Sequence, residues 1–440
     1  VYVQFTINFA DGVSTKADYN DGSYAIGTDQ EHAVKHAYIY FFNSETDDYV
    51  STVAIAAGDI TSANIAGSVV KKTTVPTKLD PAKYDVYATI NYEVTGLTGK
   101  KISDFQQQVY THNYASFKMD ENGIPMSSRS SNGTLCQADV VVDSWNTKDN
   151  PVQISLFMER MLAKLTVKTT TNAYAVTTER DATGQPLATV KLTDYKEVNL
   201  PTQAYLYRHV GTDAGTTTFG EVTASNYVIE PETANKNNGL ITGLHYYNYV
   251  NASDAFTAMP AVGVLTTPMY CTENTMLKDA QYKTYATAYA FKATITPADE
   301  RFYEDGSTEE SAPGNAYVSG EDLWYFDGYF YENLATLNAV RGLSLSESSS
   351  ANNYYGKFGV KKYVKGVCYY TYYIRHFDND EAQEMGIMEF AIVRNNDYQV
   401  TINRIAALGE DVPTVSVEQI EATQSYFQAT LLVRPWVVRK

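Results

Sequence analysis

The end of the chain constrains its fold most strongly, because residues 425–440, SYFQATLLVRPWVVRK, alternate between apolar and polar side chains. This alternation is typical of a β-strand with one buried face. The apolar face consists of Phe427, Ala429, Leu431 and Val433. The opposite face consists of Gln428, Thr430, Arg434 and one apolar residue, Leu432. Proline has no N–H to donate, so Pro435 interrupts the ladder, which resumes at Trp436, Val437 and Val438.

The chain opens on the same pattern, in the sequence VYVQFTINF. The positions that face one side of this strand are Val1, Val3, Phe5, Ile7 and Phe9. The sequence therefore predicts a strand of edge type at each end of the chain. Such a pair of strands favours a subunit that exchanges strands with its neighbours.

The length and composition of the chain bound its architecture. With 440 residues the chain is too long for one hydrophobic core, so we expect two or three domains. The hydrophobic fraction of 44% and the charged fraction of 19% are typical of a globular protein. The 37 tyrosines favour sheets, because tyrosine suits a half-exposed pleated surface. Short strands at close spacing, with few helices, predict an all-β fold of sandwiches with a few short helices.

Individual segments agree with this class. The clearest predicted strands are His36–Asn43, Pro81–Asn91, Gln137–Val142, Val152–Phe157, Lys283–Pro297, Gly366–His376 and Tyr398–Ala406. Met158–Thr170 is ambiguous at its start, but its alternating second half predicts a strand that opens a second domain. Short helices are predicted within Ala54–Val70 and Ile102–Val109 and near Asn333–Val340, and surface loops over Gly211–Met259.

Charge and motifs exclude several function classes. The formal net charge is 34 − 51 = −17, which argues against a nucleic-acid partner, because phosphate binding needs a basic surface. The cysteines Cys136, Cys271 and Cys368 form no CxxC pair and no disulfide framework. No apolar run of about 18 residues predicts a membrane-spanning helix, and no signal peptide is visible. No nucleophile or phosphate-loop motif stands in its required context, so neither an enzyme nor a cofactor is predicted.

Two clusters resemble metal ligands, but plainer interpretations are favoured. His32 and His36 have the i, i+4 spacing of a helical metal site, yet they lack an HExxH context, and a surface pair is favoured. The acidic residues Asp378, Asp380, Glu381 and Glu384 could offer oxygen ligands to Ca²⁺. Their spacing lacks the glycine and terminal glutamate of an EF-hand, so a solvated turn is favoured. Cys368 and His376 are interpreted as a core thiol and an exposed imidazole.

Several stretches together resemble the fimbrillins, which build the type V surface fimbriae of Bacteroidales bacteria, and the shaft subunits of the minor-fimbria type in particular. The stretches are PAKYDVYATIN (81–91), IPMSS (124–128), ERMLAKLTV (159–167), VNLPTQAYLY (198–207), CTENT (271–275), MEFAIVRNNDYQVTINRI (388–405) and the terminal FQATLLVRPWVV. VRNNDYQVTI is the most specific of them. They run from one end of the chain to the other, and their order carries the resemblance.

The resemblance implies a fold of two tandem transthyretin-like β-sandwiches with a C-terminal donor strand. The expected divisions are 1–16, removed on maturation; 17–156, the first sandwich; 157–411, the second sandwich; and 412–440, the linker and donor strand. It also implies an outer-membrane lipoprotein precursor that is exported to the cell surface and cut by a trypsin-like protease. Subunits of the same or a homologous kind then join head to tail in a fimbria that mediates adhesion, with the surface receptor unknown.

Donor-strand exchange makes a physical demand on both terminal strands. Removing Val1, Val3, Phe5, Ile7 and Phe9 would expose unpaired backbone and empty side-chain pockets. An arriving strand would refill them with Phe427, Ala429, Leu431 and Val433, and Trp436 and Val438 would anchor its end. The family's cut usually follows an arginine, but Lys16 is the only basic residue between Phe9 and Glu31. Cleavage between Lys16 and Ala17 is therefore the hypothesis.

Three alternatives remain open from the sequence. The terminal strand could fold back on its own second domain as an ordinary edge strand. Whether Phe427–Val438 packs on its own chain or projects from it is the observation that distinguishes a carbohydrate-binding module from a strand-donating subunit. The tyrosine-rich segments His245–Tyr249 and Tyr369–Tyr373 could stack sugars in a cell-surface carbohydrate-binding module. A fimbrial anchor or accessory protein would keep its first strand permanently.

Overall fold

The computed structural model of the chain describes residues 1–9, 25–63, 71–129, 136–177, 186–212, 217–219, 226–248, 255–346, 359–381, 384–413, 416–420 and 427–437. The described residues are mainly β-strands, with three short α-helices between them. The predicted all-β class with a few short helices is thereby confirmed. None of the helices in these ranges has the length and apolar character needed to cross a bilayer.

A large sheet built from the first 160 residues carries one of the two main cores. Its strands are β1 (Tyr2–Phe9), β3 (His36–Asn43), β4 (Tyr49–Ala56), β5 (Ile60–Ala63), β6 (Lys71–Thr74), β7 (Thr77–Lys78), β8 (Ala82–Ile90), β10 (Met126–Arg129), β11 (Gln137–Val142) and β12 (Val152–Arg160). The order is β4-β3-β8-β10-β12-β1-β6-β5, with β11 beside β8 and β7 beside β1. The inward positions of β1, β3, β8 and β12 share a single buried apolar cluster.

The second main core lies between two sheets, which makes this part of the chain a β-sandwich. The strands are β2 (Ala25–Ile26), β13 (Ala163–Thr169), β14 (Tyr174–Thr177), β15 (Pro186–Val198), β22 (Thr257–Ala258), β23 (Met269–Cys271), β24 (Ala288–Pro297), β29 (Val367–Tyr373), β30 (Asn396–Ile405) and β31 (Phe427–Val437). One sheet has the order β2-β31-β30-β13-β23 and the other β14-β15-β24-β29, with β22 beside β15. Side chains of both sheets meet in one buried cluster.

Smaller elements connect and flank these sheets. The remaining strands are β9 (Val109–Thr111), β16 (Leu200–Pro201), β17 (Gln203–Tyr205), β18 (His209–Gly211), β19 (Thr217–Phe219), β20 (Tyr227–Ile229), β21 (Tyr246–Tyr247), β25 (Phe302–Tyr303), β26 (Leu323–Phe326), β27 (Tyr329–Tyr331) and β28 (Lys361–Tyr363). The helices are α1 (Ile102–Gln106), α2 (Met119–Asn122) and α3 (Leu334–Arg341). Single 3₁₀ turns occur at Gln30–His32, Ala57–Asp59, Thr233–Asn235, Lys278–Ala280, Asp299–Arg301 and Val364–Gly366.

Helix α3 shows why the short helices end where they do. The Asn333 side chain accepts a hydrogen bond from the Thr336 N–H at 2.8 Å, which satisfies one of the unpaired donors at the helix start. At the other end Gly342 adopts the left-handed conformation, with φ of 62°, and stops the helix. The predicted helix near Asn333–Val340 is confirmed.

Two predictions differ from the structure in detail. Ala54–Val70 is predicted to hold a short helix and a turn; the structure has a 3₁₀ turn at Ala57–Asp59 between β4, which continues to Ala56, and β5, which begins at Ile60, and residues 64–70 lie outside the described residues. The small and β-branched residues of this range thus belong mainly to two strands, which lie at opposite edges of the sheet. His376 lies beyond the end of β29 and is 3% exposed, so the imidazole belongs to the core and not to the surface.

A buried polar network joins the two main parts of the chain. Glu31, which precedes β3, pairs with Lys164 of β13 at 2.9 Å and accepts from the Tyr270 hydroxyl at 2.7 Å. Burial raises the pKa of Glu31, but the hydrogen bonds from Lys164, the Thr28 N–H and Tyr270 outweigh it and leave the pKa below its usual value. The paired carboxylate therefore stays charged and fixes the first sheet against the sandwich.

Candidate strand-exchange site

Strand β1 lies inside the first sheet and not at its edge. It runs parallel to β12 from Val3, opposite Val152, to Phe9, opposite Met158. On its other side it pairs antiparallel with β6 and β7. Removing β1 would therefore open a gap in the middle of the sheet and leave backbone groups of three strands without partners.

The inward face of β1 is completely buried. Val3 and Phe5 are 0% exposed and Ile7 is 1% exposed. The Phe5 ring lies 6.1 Å from the Phe41 ring of β3, so the strand reaches across the core. At roughly 1.5–3 kcal/mol for each buried side chain, these three residues contribute on the order of 5–9 kcal/mol. This burial makes β1 an integral part of the first core.

Polar contacts hold β1 in its register. The Phe5 N–H donates to Thr74 Oγ1 at 3.0 Å, and Gln4 Nε2 donates to the Thr74 carbonyl at 2.8 Å. Gln153 Nε2 of β12 donates to Gln4 Oε1 at 2.8 Å. These contacts tie β1 to strands on both sides and fix its register.

The C-terminal strand β31 packs on its own chain. It pairs antiparallel with β30 from Phe427, opposite Ile405, to Pro435, opposite Asn396. Phe427 and Val433 are buried, and Ala429 and Leu431 pack against the same core from partly buried positions. The predicted alternation is thus present, but in the fold-back arrangement that the sequence left open.

An aromatic cluster at Phe427 and an ion pair at Arg434 hold β31 in place. The Phe427 ring lies 5.0 Å from that of Tyr370 and 5.4 Å from that of Phe291. Near the other end Arg434 Nη2 lies 3.1 Å from Asp397 Oδ2. Burial raises the pKa of Asp397, although the Lys164 and Arg434 cations oppose it. Releasing β31 therefore means breaking apolar packing and uncovering a buried carboxylate.

A two-residue strand that follows β1 in the sequence pairs with the end of β31. Ala25 and Ile26 form β2, which runs parallel to β31 opposite Trp436 and Val437. Sequence reasoning missed this pairing, because a two-residue strand carries no periodic signal. The hypothetical cut between Lys16 and Ala17 would fall between β1 and β2, and it would separate the strand of the first sheet from the strand that holds β31.

Not every predicted site residue can be placed. Lys16, Ala17 and Val438 lie outside the described residues, and only the backbone of Phe9 and Trp436 is described. The predicted processing, displacement and donor roles of these and of the other predicted site residues stay predictions.

The other candidate sites are occupied by protein contacts. His32 is 8% exposed, and its Nδ1 lies 2.8 Å from Arg160 Nη2, so the expected surface pair with His36 is wrong for His32. Burial, followed by the Arg160 charge, lowers the pKa of His32 to about 4. No group of three or more potential metal ligands occurs in the described ranges. Tyr247 stacks on Tyr114 with ring centres 5.0 Å apart.

The most specific motif, VRNNDYQVTI, contains ion pairs that sequence reasoning did not anticipate. Arg394, 1% exposed, pairs with both carboxylate oxygens of Glu273 at 2.7 Å and donates to the Tyr205 and Leu206 carbonyls. Asp397, from the same motif, pairs with Arg434 of β31. Charged residues inside an apolar strand pattern were the signal, because such charges are buried only when they are paired.

Comparison with known families bears on this C-terminal region. Residues 361–440, which include β28 to β31, match the family described as "Major fimbrial subunit protein type IV, Fimbrillin, C-terminal". This match confirms the predicted resemblance to the fimbrillins. No curated protein matches the chain.

Solved structures of similar proteins give weaker likenesses. A candidate cell adhesion protein from Parabacteroides distasonis ATCC 8503 is 13% identical over 99% of each chain, with a TM-score of 0.47. The tip fimbrial protein Mfa3 from Porphyromonas gingivalis, with a C-terminal truncation, is 10% identical over 99% of this chain and 100% of its own, with a TM-score of 0.38. Similarities of this strength do not by themselves transfer a function.

Proposed function

We propose that the chain is a structural subunit of a cell-surface fimbria and that it polymerises by donor-strand exchange once a protease has removed β1. The fimbrillin match over residues 361–440 supports the fimbrial role. The observation that carries the exchange step is the interior position of β1, whose apolar face is 0–1% exposed. A sheet that loses such a strand needs another strand in its place.

In this proposal β31 stays packed on its own sandwich until a second subunit has lost its β1. Its alternating face of Phe427, Ala429, Leu431 and Val433 offers side chains at the same two-residue spacing as Val3, Phe5 and Ile7. A second subunit whose β1 is missing would bind that face. The backbone of the donated β31 would then pair with β12 and β6 of the second subunit. The contact is head to tail and does not close on itself, so it propagates as a filament.

The proposal extends to partners and location. A protease of trypsin type would cut between Lys16 and Ala17, and the other partners would be copies of this chain or homologous subunits. A lipoprotein precursor exported through the outer membrane would deliver the subunit to the cell surface. Adhesion to a host or bacterial receptor would follow from the assembled fimbria, and no enzymatic activity is proposed.

Limited trypsin digestion of the purified chain tests the proposal. Mass spectrometry identifies the new N-terminus, and electron microscopy and unheated SDS gels detect polymers. We expect filaments and SDS-stable ladders only after β1 is lost, and none from a chain with Lys16→Gln. A chain that loses residues 1–16 and remains monomeric would contradict strand exchange and favour the binding-module alternative. A new N-terminus elsewhere would contradict the proposed cut alone.

A further inference from the structure

A lysine, an asparagine and a glutamate meet in the interior of the second half of the chain. Lys236 and Asn274 are 0% exposed and Glu230 is 2% exposed. Glu230 follows strand β20, Lys236 follows the 3₁₀ turn Thr233–Asn235, and Asn274 lies just after β23. The three residues are distant from both terminal strands in sequence, and the proposed strand exchange does not use them.

The lysine ammonium is placed against both other side chains. Lys236 Nζ donates to Asn274 Oδ1 at 2.8 Å, to the Thr275 carbonyl at 3.1 Å and to Glu230 Oε1. Because the amide C–O bond is about 1.23 Å long, Nζ lies at most about 4 Å from the Asn274 carbonyl carbon. The amine is therefore near the electrophilic atom of an amide.

The asparagine amide is held in a single orientation. Its Nδ2 donates to the Tyr285 carbonyl at 2.7 Å, to Thr287 Oγ1 at 2.9 Å and to the Asn199 carbonyl at 3.3 Å. Its Oδ1 accepts from Lys236 and, at 3.1 Å, from the Tyr246 hydroxyl. The donors on the carbonyl oxygen favour attack at this carbon, since negative charge develops on that oxygen, and the acceptors around Nδ2 hold the plane of the amide fixed.

The carboxylate is positioned to move protons. Glu230 Oε1 accepts from Lys236, while Oε2 accepts from the Glu232 N–H at 2.7 Å, so the group cannot rotate away. Burial raises the pKa of Glu230, although the Lys236 cation opposes it. A buried carboxylate with a raised pKa is a better proton acceptor for an ammonium than an ordinary surface carboxylate is.

From this arrangement we propose that Lys236 and Asn274 are joined by an intramolecular isopeptide bond, which the chain forms by itself with Glu230 as the proton carrier. Glu230 takes a proton from the Lys236 ammonium, and the neutral amine attacks the Asn274 carbonyl carbon. The new C–N bond forms while the Cγ–Nδ2 bond breaks, and Nδ2 leaves as ammonia after receiving the attacking nitrogen's proton through Glu230. The products are a secondary amide, a neutral Glu230 carboxyl group and one ammonia molecule.

The reaction has a physical driving force in this site. An ammonium and a carboxylate that are both fully buried carry a large desolvation penalty. The product has neither charge, and its amide can keep hydrogen bonds to Glu230 and Tyr246. The bond would also join the segment that contains Glu230 and Lys236 to the segment at Asn274. Lys236 and Asn274 are 38 residues apart in the sequence.

Intact mass spectrometry of the folded chain of residues 1–440 tests the proposal directly. We expect a mass below the sequence mass by one ammonia molecule, and a tryptic digest that yields a branched peptide joining Lys236 to Asn274 without cleavage after Lys236. A full sequence mass together with free tryptic peptides ending at Lys236 would overturn the proposal. This measurement uses the unaltered protein, so a folding defect in a variant cannot obscure it.

Two variants test the role of Glu230. Glu230→Gln keeps the shape of the side chain but cannot accept a proton, and we expect the full mass and a lower melting temperature. Glu121→Gln is the matched control, since it removes a carboxylate paired with Lys118 on the exposed surface, and it should keep the mass deficit. A mass deficit in Glu230→Gln equal to that of the parent would overturn the assignment of Glu230 as the proton carrier.

Discussion

Substituting Phe427 by alanine should loosen β31 from its own domain while leaving β1 in place. The Phe427 ring contacts Phe291 and Tyr370 and is 6% exposed, so its removal leaves a cavity under the end of the strand. Truncating a buried phenylalanine to alanine costs about 3–5 kcal/mol. Since about 1.4 kcal/mol corresponds to a factor of ten, opening of the strand should become roughly two to three and a half orders of magnitude more frequent.

Hydrogen exchange followed by mass spectrometry measures this opening. Peptides that contain β31 and β30 should exchange faster in Phe427→Ala by roughly that factor, while peptides from β1 should not change. Gln428→Ala is the matched control, because its side chain lies on the exposed face of the same strand. If exchange in β31 accelerates less than tenfold, or as much in Gln428→Ala, the aromatic cluster does not hold the strand and the reasoning is refuted.

Three further predictions concern buried charges. Arg394→Ala should lower the free energy of unfolding by about 3–5 kcal/mol, measured in urea, because it strands the buried Glu273 carboxylate, whereas Lys118→Ala on the surface should cost less than about 1 kcal/mol. Burial lowers the pKa of His376 to about 4. Between about pH 6.5 and 4 the unfolded chain therefore binds one proton more than the folded chain, and stability falls as the pH falls. His376→Gln should reduce this loss of stability. Burial raises the pKa of Glu197 to about 7, so the folded chain holds a proton that the unfolded chain has already lost, and stability falls as the pH rises through 7. Glutamine has no charge to bury, so Glu197→Gln should stabilise the fold more at pH 8 than at pH 4. Equal effects of the last two substitutions at both ends of their pH ranges would contradict those pKa directions.

The strand periodicity was the part of the fold that could be predicted most directly. In β31 the two-residue alternation places Phe427 and Val433 in the core and leaves Gln428 and Thr430 exposed. In β1 the same rule buries Val3, Phe5 and Ile7. Side chains alternate between the two faces of any strand because of its backbone geometry, so this alternation does not depend on which strands lie beside it.

Pairing partners could not be predicted in the same way. Nothing in VYVQFTINF shows that β1 lies inside a sheet, parallel to β12, because an edge strand and an inner strand can share one pattern. The same limit applies to β31, whose pattern fits its own sandwich and would equally fit the proposed place of β1 in a second subunit. The polar contacts of Arg394, Asp397 and Lys236 also depend on segments far away in sequence, which no local pattern reveals.

The two positions available to β31 differ in what they offer, and this difference gives the proposed exchange a direction. On its own domain β31 pairs along its length with β30, and β2 meets its other side over two residues. In the gap left by β1 it would have strands on both sides, with β12 on one and β6 and β7 on the other. In the proposed exchange the second position would complete backbone pairing on both edges and fill the places of the β1 side chains, and these gains would have to exceed the apolar packing and the Asp397 ion pair that β31 gives up on its own sandwich. While β1 remains in place that position is closed, so under the proposed function the removal of β1 is the step that would make assembly favourable.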